Sequence, residues 1–151
     1  MANTTTGLGP RDFTSSLGNG TNGISGIADS TSLAYDSTEE RGTSHRDKAV
    51  QQASDGEWVR VPTDGRVDGQ IALVESDQSC TVVTKGFVLF PYSGSEPAIG
   101  DMFIGGAAAG QVKIAGATPA GDGTGRHRVA GNPTTNPDTV PAGYVLVELG
   151  R

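Results

Sequence analysis

From residue 57 onward, the sequence is a series of short runs of β-branched and aromatic residues separated by turn-forming residues. The runs are EWVRV, QIALVES, CTVVTKGFVLF, DMFIGG, QVKIAG, HRVAG and GYVLVELG, and TDG, VDG, SGSEP and GDGTG lie between them. Gly, Pro, Asp and Asn at such positions favour tight turns. No helical segment is long enough to connect parallel strands. The pattern therefore predicts an all-β fold, a compact antiparallel β-barrel or jelly-roll-like sandwich, with residues 57–151 as its body.

The strongest strand signal runs from Cys80 to Phe90, and Gly86 in its middle predicts a bulge or a sharp bend. Residues 131–143 contain three prolines, each of which lacks a backbone donor, so this segment is predicted to be a surface loop. The aromatic residues in or beside strands are predicted to be core residues: Trp58, Phe87, Phe90, Tyr92 and Phe103.

Composition limits the classes of partner. Hydrophobic residues make up 34% of the chain, and 23 glycines take the place of side chains, which favours turns and short strands over helices. The formal net charge is −6. Phosphate contacts require clustered Lys and Arg, and the sequence has no such cluster, so we expect neither a nucleic-acid nor a membrane partner. We also find no secretory signal and no apolar run of membrane-spanning length, and we expect a soluble protein made in the cytoplasm.

The first third of the chain, residues 1–44, is rich in Gly, Thr, Ser and Asn and fits neither a helical nor a strand period. Its apolar residues recur roughly every four to five positions. This spacing predicts an extended arm that becomes ordered on a partner surface, because ordering the backbone alone costs about 1–2 kcal/mol per residue. The alternatives are a tail without a partner and ordered strands of the main domain. The expected arm anchors are Leu8, Phe13, Leu17, Ile24, Ile27, Leu33 and Tyr35. Residues 45–56, HRDKAVQQASDG, are predicted to form a short helix or linker.

No constellation of catalytic residues is present in the sequence. His45 and His127 are each flanked by arginine and lie far apart in the chain, without the spacing of metal ligands. Cys80 is the single cysteine and lies within a strong strand signal, which favours a buried structural role. GDGTGRHR lacks the Gly-Lys-Ser/Thr ending of a phosphate-binding loop, and the Asp-Gly pairs are typical of turns. We therefore predict no catalytic, cofactor-binding or metal-binding residues and no enzymatic activity.

Two segments, GFVLFPYSGSEPAIGDMFIGGAAAGQVKIA (residues 86–115) and PAGYVLVELG, resemble the capsid decoration (cement) proteins of tailed bacteriophages. The similarity lies in a strand, an AIGDMFI step at residues 98–104, a Gly/Ala-rich turn, another short strand and the closing strand. The resemblance implies a compact β-rich body and homotrimers that bind the major capsid protein on the outer face of the virion, with arms that reach over coat subunits or over each other. The function it implies is to stabilise the assembled shell by bridging coat subunits.

Two other readings remain open at the level of sequence. A virion fibre or adhesin-type β domain would use the arm as an anchor and bind a host glycan, with Tyr92 and Tyr144 as the candidate contact residues. An enzyme of trimeric β architecture, such as a nucleotide hydrolase, would require a carboxylate set that we cannot assemble from this sequence.

Overall fold

The structure is a computed structural model that describes residues 22–39, 41–115 and 127–150. Within these ranges the chain forms nine β-strands and no helix, which confirms the predicted all-β class. The strands pair antiparallel, and the sheets curl into a half-barrel. Their bounds are β1 Asn22–Ile27, β2 Ala49–Gln52, β3 Trp58–Arg60, β4 Gly69–Val74, β5 Ser79–Pro91, β6 Phe103–Gly105, β7 Val112–Ile114, β8 Arg128–Gly131 and β9 Tyr144–Leu149.

Seven of the strands form one sheet, in the order β3-β2-β4-β5-β9-β8, and β1 pairs with β5 outside this path. Strands β6 and β7 form a separate two-stranded sheet. The seven runs found in the sequence correspond to β3 through β9. Their β-branched and aromatic residues favour strands, and turn-forming residues separate the runs.

Strand β5 is thirteen residues long and changes partners at its midpoint. Up to Lys85 it pairs with β1 and β4, and from Gly86 to Pro91 it pairs with β9. Gly86 has a φ of 109°, a conformation that residues with a Cβ rarely adopt. The irregularity that the sequence predicts at this glycine is therefore the point where β5 passes from one half of the sheet to the other.

Apolar side chains are buried on both faces of the β2-β4-β5 region. Neighbouring residues such as Val82 and Val83 belong to different core clusters, because successive strand residues point to opposite faces. One cluster contains Ala28, Leu33, Val50, Trp58, Ile71, Val74, Cys80 and Val82. The other contains Ala49, Val61, Val67, Ala72, Val83, Val88, Phe90, Phe103, Val112, Val129, Val145, Val147 and Leu149, with Tyr92 packed against it. Of the five aromatic residues predicted for the core, only Phe87 belongs to neither cluster and is half-buried.

The prediction that residues 1–44 form an arm separate from the body is wrong for the part that the structure describes. Strand β1 pairs with β5 over six residues, and Leu33 is fully buried. Two backbone bonds hold the segment after β1: the Ala28 N–H donates to the Gln78 carbonyl and the Asp29 N–H to the Trp58 carbonyl, both at 2.9 Å. Sparse apolar residues suffice here because backbone pairing along β1 and the single buried side chain of Leu33 hold the segment on the body.

The prediction of a short helix or linker over residues 45–56 is also wrong. Strand β2, Ala49–Gln52, lies within this segment and pairs with both β3 and β4. Ala49 and Val50 are both buried, one in each core cluster. A two-residue apolar step has no visible period, so the neighbouring strands, and not the local sequence, determine its structure.

Four carboxylates fix turns around β1 and β5, and each has a pKa below its ordinary value because it accepts hydrogen bonds from residues two to four positions further along. The lowered pKa of Asp29 comes mainly from the bond with the backbone of Ser32, and those of Asp36, Glu39 and Asp77 mainly from the side chains of Thr38, Thr43 and Ser79. Three of these turns lie within residues 29–43, so the segment between β1 and β2 is held by local bonds as well as by Leu33.

We predict that Leu33→Ala lowers the free energy of unfolding of the whole body by about 2–5 kcal/mol, because it leaves a cavity in a fully buried site. Ile27→Ala is the matched control, since Ile27 is 51% exposed and its truncation should cost about 0.5 kcal/mol or less. Chemical denaturation measures both values. Equal stability of the two variants would show that Leu33 is not part of the core.

We predict that the free energy of unfolding decreases as the solution is made acidic. The folded-state pKa values of the four turn carboxylates lie below the unfolded ones, so their stabilisation is present above about pH 4 and is lost as the pH falls through the folded values. Asp47 acts in the opposite direction, because burial raises its pKa. Glu39→Gln should lower the melting temperature at neutral pH and should make the melting temperature fall less steeply as the pH is lowered. Glu57→Gln, which removes a carboxylate from the β2–β3 turn, is the control. An identical pH profile for Glu39→Gln and the wild-type protein would contradict this assignment.

Candidate interaction surface

Strand β1 is the most exposed of the nine strands. Ile24 is 44% exposed and Ile27 51%, whereas Ile71 in β4, on the other side of β5, is fully buried. Gly23 and Ser25 are exposed as well. Hydration of two large aliphatic side chains on one short strand is unfavourable, and this makes β1 a candidate contact surface.

The two exposed isoleucines point to opposite faces of β1, because they are three residues apart in a strand. Ile24 shares its face with Gly26, where the indole of Trp58 covers the backbone. A Cβ at Gly26 would lie 2.5 Å from Nε1 of Trp58, so this position has no room for a side chain. Ile24 therefore lies beside the site where Trp58 packs on the strand, and Ile27 lies on the other face.

One edge of β1 is paired and part of the other is open. The Ala28 N–H points toward β5, where it donates to Gln78, and the Asp29 N–H points the opposite way, to Trp58. Because backbone groups alternate along a strand, Gly23 and Ser25 present their N–H and C=O groups on the same side as Asp29, away from β5. Among the described residues, only Trp58 pairs with β1 on this side, through a bridge at Ala28. The part of this edge from Gly23 to Ser25 is the outer edge of β1.

The structure divides the seven predicted arm anchors into three groups. Leu8, Phe13 and Leu17 lie outside the described residues. Ile24 and Ile27 are exposed and remain candidates for contact with a partner. Leu33 and Tyr35 are internal. Leu33 is fully buried and Tyr35 packs against the same cluster, while its N–H donates to the Gln78 side chain at 2.7 Å.

Ile99, in the loop between β5 and β6, is a third exposed aliphatic residue, 52% exposed, that the sequence pattern did not identify. This loop is fixed by a bond of 2.8 Å from the Ala98 N–H to the Asp101 carboxylate. The sequence signal was one isoleucine in the turn-like segment PAIG, residues 97–100. It is weak, because exposed single hydrophobic residues are common on protein surfaces.

The residues that most often carry chemistry have structural roles here. Cys80 is 2% exposed, and burial raises the pKa of its thiol to about 11. His45 joins two segments: its Nδ1 is 2.7 Å from Nη2 of Arg60 in β3, and its Nε2 is 2.7 Å from the Ala34 carbonyl oxygen. The His127 ring stacks on Phe103, with the ring centroids 6.0 Å apart.

A small polar cleft lies between the segment before β2 and the β4–β5 turn. Its volume is about 150 Å³, and it is lined by Tyr35, Arg41, Gly42, Glu75 and Ser76. Sites for small molecules usually enclose about 300–1,000 Å³ and are mostly apolar. The cleft does not have these properties, and Arg41 and Glu75 give it charges of both signs.

Over the described ranges, no group of three or more His, Cys, Asp or Glu side chains is arranged to hold a metal ion. The same residues include no helix long and apolar enough to cross a membrane. No protein-family model matches the chain, and neither a curated protein nor a solved structure is significantly similar to it. Function is therefore inferred from the surface of β1 and from the sequence.

We predict that Gly26→Ala loosens the contact between β1 and Trp58, because the new methyl group meets the indole. Trp58 is the only tryptophan and is 4% exposed, so its fluorescence reports this contact directly. The variant should show red-shifted emission and lower stability. Ser25→Ala, one position away and exposed, is the control, and unchanged emission in Gly26→Ala would contradict the packing.

Proposed function

We propose that this chain is a structural virion protein that binds the outer surface of an assembled bacteriophage capsid and stabilises it by bridging major capsid subunits. The observation that carries the proposal is the exposed strand β1, with Ile24 and Ile27 on its two faces, which directly follows the segment with the predicted anchors Leu8, Phe13 and Leu17. The resemblance of residues 86–115 and of the closing strand to decoration proteins supports the same function.

A ligand that binds the assembled shell better than free coat subunits stabilises the shell by mass action. A partner that contacts both faces of β1 would bury Ile24 and Ile27 together, and each fully buried isoleucine contributes about 1.5–3 kcal/mol. Association as a homotrimer, which the resemblance implies, would place several such strands on one particle. Multivalent attachment would then raise the overall affinity without stronger single contacts.

Strand β1 begins close to the end of β9. Asn22 pairs with Lys85, at the position where β5 changes partners. Gly150 also lies against Thr84 and Lys85. A label for binding experiments therefore belongs away from the start of β1, for example at exposed Ser95.

The fibre or adhesin alternative depends on two tyrosines. Tyr92 packs against a core cluster and forms a bridge with Val112, and half-buried Tyr144 pairs with Pro91. Both side chains are accounted for by packing and pairing, so the capsid proposal is the better supported. A glycan-binding role is distinguished by copy number in the experiment below.

The first test is density-gradient fractionation of particles from the native source, with this protein quantified against the major coat protein. Decoration predicts a copy number comparable to that of the coat subunits. A few copies per particle would indicate a fibre instead, and absence from the particles would contradict any virion role.

We predict that replacing both Ile24 and Ile27 by Ser weakens binding of the purified protein to undecorated particles by about tenfold or more, since apolar contact area is lost on both faces of β1. Ile99→Ser is the matched control, because Ile99 is equally exposed but lies in another part of the chain. Co-sedimentation measures the affinity. Undiminished binding of the double variant would exclude β1 as a contact surface.

A further inference from the structure

Within the described residues, the outer edge of β1 has unpaired backbone groups and neither a charged residue nor a proline to protect it. Gly23 and Ser25 direct two N–H and two C=O groups away from β5, and no strand among the described ranges pairs with them. Edge strands in native proteins are commonly protected by charged residues, proline or bulges. The sequence from Asn22 to Ile27, NGISGI, contains no charge and no proline, and its single register shift lies at Asn22/Gly23. This edge is therefore a template for another strand.

We propose that the outer edge of β1 pairs with the same edge of a second copy of this chain, antiparallel about a two-fold axis at Ile24. Two identical edges form a closed contact only through a two-fold axis, and in strands this gives an antiparallel pair. Gly23 of each copy exchanges both backbone bonds with Ser25 of the other. All four open groups of each copy are then satisfied.

The position of Trp58 favours the register centred on Ile24 over the register centred on Ser25. Centring the pair on Ser25 would place Gly23 of the second copy opposite Ile27. At that end of the edge, Trp58 already lies against Ala28 and accepts from Asp29. Centring the pair on Ile24 keeps the exchanged bonds within the open part of the edge.

The side chains fit the same register. Ile24 meets Ile24 of the second copy in a non-hydrogen-bonded pair, where the Cα atoms are about 4.5 Å apart and the side chains touch. Each isoleucine is 44% exposed in one chain, so the pair removes apolar surface from water. The flanking residues, Gly23 and Ser25, are too small to obstruct the approach, and no like charges face each other although the chain has a net charge of −6.

The contact is small. Four backbone bonds and one isoleucine pair bury less than the roughly 1,200–2,000 Å² of stable complexes, so the dimer should be weak and concentration-dependent in solution. It is a two-fold contact and therefore differs from a three-fold association. The inference does not require the proposed function, since it needs only two copies of the chain. The two contacts share Ile24, so a chain paired in this way offers Ile27 alone to a capsid.

Cross-linking through Ile24→Cys in the full chain tests the pairing. The Cα separation at the two-fold axis lies within the range that a disulfide accepts. Ile27→Cys and Ile99→Cys are matched controls, since both positions are about as exposed as Ile24 but neither would face its own copy. Native Cys80 interferes little, because it is buried and the pKa of its thiol is raised to about 11. We expect Ile24→Cys to form disulfide dimers about tenfold faster than either control under mild oxidation.

A non-covalent test uses opposite charges at the same position. Ile24→Glu and Ile24→Lys should each be monomeric at concentrations where the wild-type protein dimerises, because like charges face each other at the axis. An equimolar mixture of the two should dimerise again, and sedimentation velocity measures all three samples. Trp58 fluorescence verifies that each variant is folded.

Two results would overturn the proposal. The first is equal cross-linking rates for the three cysteine variants. The second is a wild-type chain that stays monomeric at all concentrations. If such a monomer also shows slow hydrogen exchange at Gly23 and Ser25, another part of the same chain covers the edge, and the second copy is excluded as its occupant.

Discussion

The bend of β5 at Gly86 is the constraint on which the rest of the structure depends. The first half of this strand is the centre of a sheet between β1 and β4, and its second half pairs with β9. Strand β4 does not pair with β5 beyond the bend, so the backbone carbonyl of Leu89 in β5 has no backbone partner in β4. Gln70, fully buried in β4, donates from Nε2 to that carbonyl, at Leu89, over 2.5 Å. A buried amide thus satisfies a backbone group that the change of partners leaves unpaired.

This geometry explains how a chain with 34% hydrophobic residues forms two core clusters. Strands β2, β4 and the first half of β5 contribute side chains to both clusters, so the same short strands build two cores with a small number of apolar residues. Glycines also allow neighbouring strands to approach closely. At Gly69, for example, a Cβ would lie 2.6 Å from Cγ1 of Val82 and 2.7 Å from the Val83 carbonyl oxygen. The abundance of glycine that lowers the apolar fraction is therefore part of how the strands pack.

The candidate surface was only partly predictable from the sequence. The spacing of apolar residues grouped Ile24 and Ile27, which are exposed, with Leu33 and Tyr35, which pack in a core cluster. All four occur in the same Gly- and Ser-rich context, and no local feature distinguishes them. The difference arises from distant residues, since Trp58 and Gln78 hold the segment after β1 against the body. An arm that binds a partner and an extended segment that packs on its own core look alike in sequence, because both are sparse in apolar residues and lack a helical period.

The sequence by itself determined the all-β class, the position of strands β3 to β9 and the break in β5 at Gly86. Each of these depends on local chemistry: β-branched runs, turn residues and a glycine that can adopt a positive φ. Only the tertiary structure decided that residues 49–52 form a strand, that Leu33 is a core residue and that no described strand pairs with the edge of β1 from Gly23 to Ser25. Those outcomes depend on which strands become neighbours, and strand pairing is set by contacts between residues far apart in the chain, which no local pattern records.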